Sequence, residues 1–184
     1  MKILKIALIT LLSLVLIFSP LIITVSIAFI SPPVYGESFV GALDEKLLRL
    51  DSIDEEKIVV IGGSSVAFGV NSELIERYTG MPVVNFGLYA SLGTKLMLDL
   101  SRKSINDGDV VIIAPEMDAQ TLSLYFNADA TLKAMDGNFS LLSRVKPDEV
   151  FKLIASSWDF AVDKLSFELD SESLGVYSAS SFNE

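Results

Sequence analysis

The chain has 184 residues and a formal net charge of −10, and it contains neither cysteine nor histidine. Without cysteine there is no disulfide, thiol nucleophile, thiolate metal site or lipid-modified cysteine anchor. Without histidine this polypeptide cannot build a Ser-His-Asp triad by itself, and it lacks the commonest transition-metal ligand. Lys2 and Lys5 are the only charges before Glu37, which leaves 12 basic against 24 acidic residues in the remainder. Such a surface excludes nucleic acid and an anionic membrane face as expected partners. No motif calls for a cofactor or a metal.

From Ile6 to Ile30 there is no charged residue, a stretch long enough to span a hydrocarbon core. The preceding Lys2 and Lys5 predict a cytoplasmic N-terminus and an exported remainder, hence a single-pass protein of the cell membrane. Pro20 is placed to kink the helix, and Pro32-Pro33 to stop it. The competing reading is a cleaved signal peptide with Ser26-x-Ala28 as processing site, but signal cores are shorter than this run. The expected organisation is an anchor over 1–30, a tether over 31–56 and one α/β domain over 57–184, about the size of an ordinary domain. Within the tether a short helix of mixed pattern is expected (Phe39, Val40, Leu43, Leu47, Leu48, Leu50).

Lys57–Ile61 reads as a buried strand, because Ile58, Val59, Val60 and Ile61 are all β-branched and apolar. Gly62-Gly63 ends it and Ser64-Ser65 follows, where a strand would hand over to a helix. This is neither a P-loop, since no lysine follows the glycines, nor a Gly-x-Gly-x-x-Gly fingerprint. Two readings remain. Either a small hydroxyl is exposed as a nucleophile at the carboxyl end of a strand, with N–H groups able to hold an anion; or Ser64 or Ser65 merely caps a helix.

Further on, Asn71–Tyr78 reads as a helix capped by Asn71 or Ser72 and stopped by Gly80, and Met81–Asn85 as a second strand. Phe86–Thr94 is a small-residue turn leading into an amphipathic helix over about 92–105. Asn106-Asp107-Gly108 is turn chemistry, and Asp109–Ala114 is a third strand ended by Pro115. Strands and helices alternating at this spacing predict βαβαβ and a parallel sheet. Thr121–Ser143 looks irregular, as an insertion would. Pro147–Leu165 predicts one amphipathic helix with Val150, Phe151, Ile154, Trp158, Ala161, Val162 and Leu165 on its apolar side, Trp158 serving as core or lid packing. The tail Ser171–Glu184 is polar.

Across Lys57–Asp118 the sequence resembles the SGNH/GDSL hydrolase superfamily, particularly its membrane-anchored cell-envelope members. Gly62-Gly63-Ser64 stands where the family has Gly-Asp-Ser after a buried strand, which makes Ser64 the matching nucleophile. The turn Asn85–Ser91 (NFGLYAS) matches the second block, with Ala90 nearest the glycine that supplies an oxyanion N–H. The third block, Gly-x-Asn-Asp, falls on Ala114–Asp118 (APEMD). There are departures. Gly63 replaces the family's aspartate, and Glu116 or Met117 its oxyanion asparagine. A glutamate carboxylate accepts hydrogen bonds and repels a developing oxyanion. The family's base, a histidine three residues after an aspartate, has no counterpart, so the chain reads as truncated before it. The resemblance implies a three-layer, flavodoxin-like α/β domain, incomplete here. It further implies a serine esterase or O-acyltransferase acting on acyl esters, often acetyl, of envelope polysaccharide or a small ester, with no cofactor and no metal. A non-catalytic glycan-binding or assembly protein that keeps this fold is the alternative.

Overall fold

The computed structural model describes residues 2–116 and 126–168. Met117, Asp118, residues 121–125 of the expected insertion and the tail over 171–184 lie outside the described residues. Helix α1 (Lys2–Ile30) runs on through Pro20. Its Leu4–Ile30 portion, 27 residues with mean hydropathy 2.8, is long and apolar enough to cross a membrane.

Three strands, β1 (Ile58–Gly62), β2 (Val83–Gly87) and β3 (Val110–Ala114), form one parallel sheet in the order β2-β1-β3. The register aligns their ends: Ile58 pairs with Val83 and Val110, and Gly62 with Gly87 and Ala114. Alternating side chains of β1 and β2 enter two separate cores, as the two-residue period of a strand requires. Val59, Ile61, Val84 and Phe86 join one, and Ile58, Val60 and Val83 the other. The smaller core is closed by α3 (Ser64–Gly69) and α4 (Ser72–Thr79) through Val66, Val70 and Ile75. On the larger side lie α2 (Leu43–Asp51) and α5 (Thr94–Ser101), through Leu43, Leu47, Leu50, Leu96, Met97 and Leu100. The caps of α4 match expectation: Asn71 Oδ1 accepts from the Leu74 N–H at 2.8 Å, and Gly80 ends the helix at φ +73°.

The amino ends of β1 and β3 are pinned by a buried pair. Lys57 Nζ lies 2.9 Å from Asp109 Oδ2, both side chains being essentially inaccessible. The ammonium makes this contact as an ion pair rather than an aligned hydrogen bond. Asp109 also accepts from the Lys57 and Asn106 N–H groups at 3.1 and 2.8 Å. Burial pushes its carboxyl up, but the Asn106 N–H and the Lys57 contacts outweigh that and hold it below the ordinary aspartate value.

Three segments differ from expectation. Residues 31–56 contain, besides α2, a 3-10 turn (Phe39–Ala42); Ala42 is buried, and Leu43, Leu47 and Leu50 belong to the main core. This helix is part of the packed body. Within 126–143, α6 (Ala128–Ala134) and a 3-10 turn (Phe139–Arg144) bury Ala130, Leu132, Ala134, Met135 and Leu141, so this stretch also builds the core.

Finally, α7 (Pro147–Ser166) is the helix expected, rotated. It buries Glu149, Leu153, Phe160, Ala161 and Lys164, whereas Phe151, Ile154, Trp158, Val162 and Leu165 face outward. Ion pairs make that possible: Glu149 meets Lys95, and Lys164 Nζ meets Asp136 Oδ1 at 2.6 Å. Trp158 is 42% exposed, not core.

Candidate functional site at the carboxyl ends of the strands

Small residues shape the carboxyl edge of the sheet. Gly87, Gly62 and Ala114 stand side by side at the last register position. A Cβ on Gly62 would lie 2.4 Å from the Ala114 carbonyl oxygen and 2.3 Å from Val66 Cγ2; one on Gly87 would lie 2.2 Å from the Ala67 nitrogen. The missing side chains let α3 sit directly over the ends of β1 and β2. Asn85, buried in β2, completes the joint: its Nδ2 donates to the Val66 and Ala67 carbonyls at 3.1 and 3.3 Å, and its Oδ1 accepts from the Gly87 N–H at 3.0 Å.

Ser64 and Ser65 open α3 and are both exposed. Glu116, two residues beyond β3, reaches across to them. Its Oε1 accepts from the Ser65 N–H and the Ser65 hydroxyl, each at 3.1 Å, and from the Ser64 hydroxyl at 3.5 Å. Gly63 is the space this carboxylate fills: a Cβ there would lie 2.1 Å from Oε1 and 2.8 Å from Cδ of Glu116. Gly63, Ser64 and Glu116, singled out in the sequence, therefore form one cluster, located where the order β2-β1-β3 changes direction between β1 and β3. In an open α/β sheet that crevice is where ligands bind.

Ala90 belongs to the opposite flank. It begins a 3-10 turn (Ala90–Leu92) three residues past β2, and its carbonyl accepts from the Gly93 N–H at 3.0 Å. Among the described residues no hydrogen bond joins it to Ser64, Ser65 or Glu116. Ser65 and Asn85 are in view in the sequence, but their partners are not: Ser65, not Ser64, makes the closer contacts to Glu116, and Asn85 fixes the turn from below, across separations of 51 and 18–19 residues.

The cluster can bind but has little means of activating a serine. A carboxylate is a feeble base toward a hydroxyl, and nucleophilic serines rely on a stronger neighbour. Lysines are engaged elsewhere. Lys95 bonds Glu149, which holds its ammonium above the ordinary lysine value, and Lys103 Nζ donates to the Ser143 carbonyl at 3.2 Å. Among the described residues no group of three or more Asp or Glu side chains is placed to hold a metal ion. Comparison with protein-family models, curated proteins and solved structures finds no match to this chain.

Proposed function

We propose that this chain carries the nucleophile of a membrane-anchored serine esterase or O-acyltransferase of the SGNH type, without a catalytic base of its own in these 184 residues. The observation that carries this reading is the placement of exposed Ser64 directly after the central strand, with β2 on one side and β3 with Glu116 on the other. The strand order is that of the first three strands of a flavodoxin-like sheet, which supports the family's fold. Lys2 and Lys5 before the apolar span support a single-pass protein of the cell membrane, with the domain outside and acylated envelope polysaccharide, or a small ester, within reach.

A second reading has an observation of its own. Glu116 occupies the Ser65 N–H, a donor that an oxyanion or carbonyl would need. That favours a module that holds an envelope glycan without cleaving it.

Chemical rescue tests the pair. The full chain in detergent is given 4-methylumbelliferyl acetate with increasing imidazole as a surrogate base, beside Ser64→Ala. The expected result is no Ser64-dependent turnover without imidazole, and imidazole-dependent turnover that Ser64→Ala abolishes. Equal rates for both proteins at every imidazole concentration refute the esterase reading. Retention on acetylated polysaccharide in that case establishes the binding module instead.

A further inference from the structure

We propose that the outward stripe of α7 (Phe151, Ile154, Trp158, Val162 and Leu165) rests on the lipid bilayer that α1 crosses, so that the domain is docked flat on the membrane. This rests on the reading of α1 as a membrane anchor and specifies how the anchored domain is held.

At ~100° per residue the five side chains fall within an arc of roughly 80° on the helix, opposite the face buried in the domain. They are between 42% and 74% exposed. An apolar stripe four turns long, turned away from the core, is a contact surface rather than chance exposure. The charged residues Asp148, Lys152, Asp159 and Asp163 lie together along one flank, which gives α7 the cross-section of an interfacial helix.

The position of α1 identifies the occupant. Its 27-residue span is ~40 Å long against a hydrocarbon core of ~30 Å. With Lys2 and Lys5 at the cytoplasmic boundary, about seven residues, 24–30, emerge at headgroup level. These are the residues that the domain grips: Val25 and Phe29 are half-buried against its core and Ala28 is fully buried. Helix α7 lies directly against them. The Phe29 and Phe160 rings are 5.3 Å apart, Lys164 Nζ donates to the Ser31 carbonyl at 3.0 Å, and the Tyr35 and Phe167 rings are 4.5 Å apart. Ile27 and Ile30, on the same turns of α1, remain 50% and 84% exposed. Apolar side chains of α1 thus stay exposed at the level where α7 packs against it. Tryptophan favours this depth, and phenylalanine and leucine accompany it on the apolar face of interfacial helices. The flanking charge is mainly acidic, so attachment is hydrophobic and needs no anionic lipid.

Trp158 is the chain's single tryptophan and therefore its own reporter. The full chain is reconstituted in phosphatidylcholine vesicles, with an environment-sensitive dye on Ser13→Cys to monitor α1 separately. The expected result is that bromines near the lipid headgroup remove about half or more of the Trp158 emission while acrylamide removes little, and that Ile154→Asp with Leu165→Asp reverses both without moving the Ser13 dye. An inserted dye with acrylamide-accessible Trp158 overturns the docking alone. A dye that reports water overturns the anchor and the docking with it. Trp158 shielded from both quenchers, together with cross-linked dimers, overturns the proposal in favour of a second copy covering the stripe.

Discussion

Glycine at position 63 is required by space, not by backbone conformation, since its φ of −90° is open to any residue. A methyl group there would meet Glu116 Oε1 at 2.1 Å, Cγ at 2.7 Å and Cδ at 2.8 Å. All three atoms belong to a side chain that can turn away, so Gly63→Ala is accommodated by expelling Glu116. The cost is then the loss of what Glu116 holds: one charged hydrogen bond to the Ser65 N–H and two to exposed hydroxyls. Losing a helix-capping acceptor costs about 1 kcal/mol and a charged bond about 1.5–3 kcal/mol, discounted here because water replaces part of it. Gly63→Ala should therefore destabilise by about 1.5 kcal/mol, a fall in Tm of about 3–6 °C. Glu116→Ala should cost the same, and the double substitution no more than either alone, a coupling of about 1.5 kcal/mol. Urea unfolding followed by circular dichroism, with the chain in detergent, measures all three. Additive costs, with the double variant about 3 kcal/mol down, would show that Glu116 does not occupy the space beside Gly63 and would refute the reasoning.

The Lys57–Asp109 pair gives a pH dependence of defined sign. A carboxyl held below its ordinary value in the folded state adds stability above that ordinary value, 3.8 for aspartate, and loses it as pH falls through the lowered one. The urea midpoint should drop on acidification below about pH 4, and this component should vanish in a Lys57→Met/Asp109→Leu variant; an unchanged acid limb would refute the assignment. Asn85→Asp should cost more than Asn85→Ala, because a carboxylate would face and repel the Val66 and Ala67 carbonyls, whereas alanine removes their donor and leaves the Gly87 N–H unpaired, at about 1–3 kcal/mol for a buried unsatisfied group. Thermal unfolding of the two variants decides it, and the reverse order would mean that the Asn85 amide is not held as described.

Local chemistry made the sheet legible. Runs such as Ile58–Ile61 and Val110–Ile113 have no other economical use than parallel strands, and Asn71 and Gly80 mark a helix by capping alone. What stayed hidden depends on partners distant in sequence. Helix α7 carries two apolar stripes, and the richer one predicts the wrong inner face. The poorer one goes inside because Lys95 and Asp136 neutralise Glu149 and Lys164 there. Similarly, β3 reads like β1, yet Val110, Ile112 and Ile113 remain half exposed, because no described helix covers that end of the sheet as α3 and α5 cover β1. Residues 39–50 carry an apolar pattern too short and too mixed to reveal that Leu43, Leu47 and Leu50 belong to the main core.

The two departures from the SGNH pattern around Ser64 look independent in sequence and are one arrangement in space. Where the resembling family keeps a carboxylate at the position of Gly63, this chain supplies one from beyond β3, and Gly63 is the vacancy it needs. Transposing it back tests that equivalence. In Gly63→Asp/Glu116→Ala the aspartate would sit at the N-cap of α3, where glycine now has no side chain to cap with, and would accept from the nearby N–H groups in place of Glu116. It should recover about 1 kcal/mol over Gly63→Ala/Glu116→Ala. The position of the carboxylate matters for chemistry as well as stability. An aspartate capping from position 63 leaves the crevice between β1 and β3 open. Glu116 already holds the Ser65 N–H, so on the proposed esterase reading a substrate oxygen would gain that donor only once Glu116 swings out. If the rescue by imidazole is stronger in the transposed variant than in the natural sequence, Glu116 is the gate; if it is unchanged, the glutamate only caps the helix.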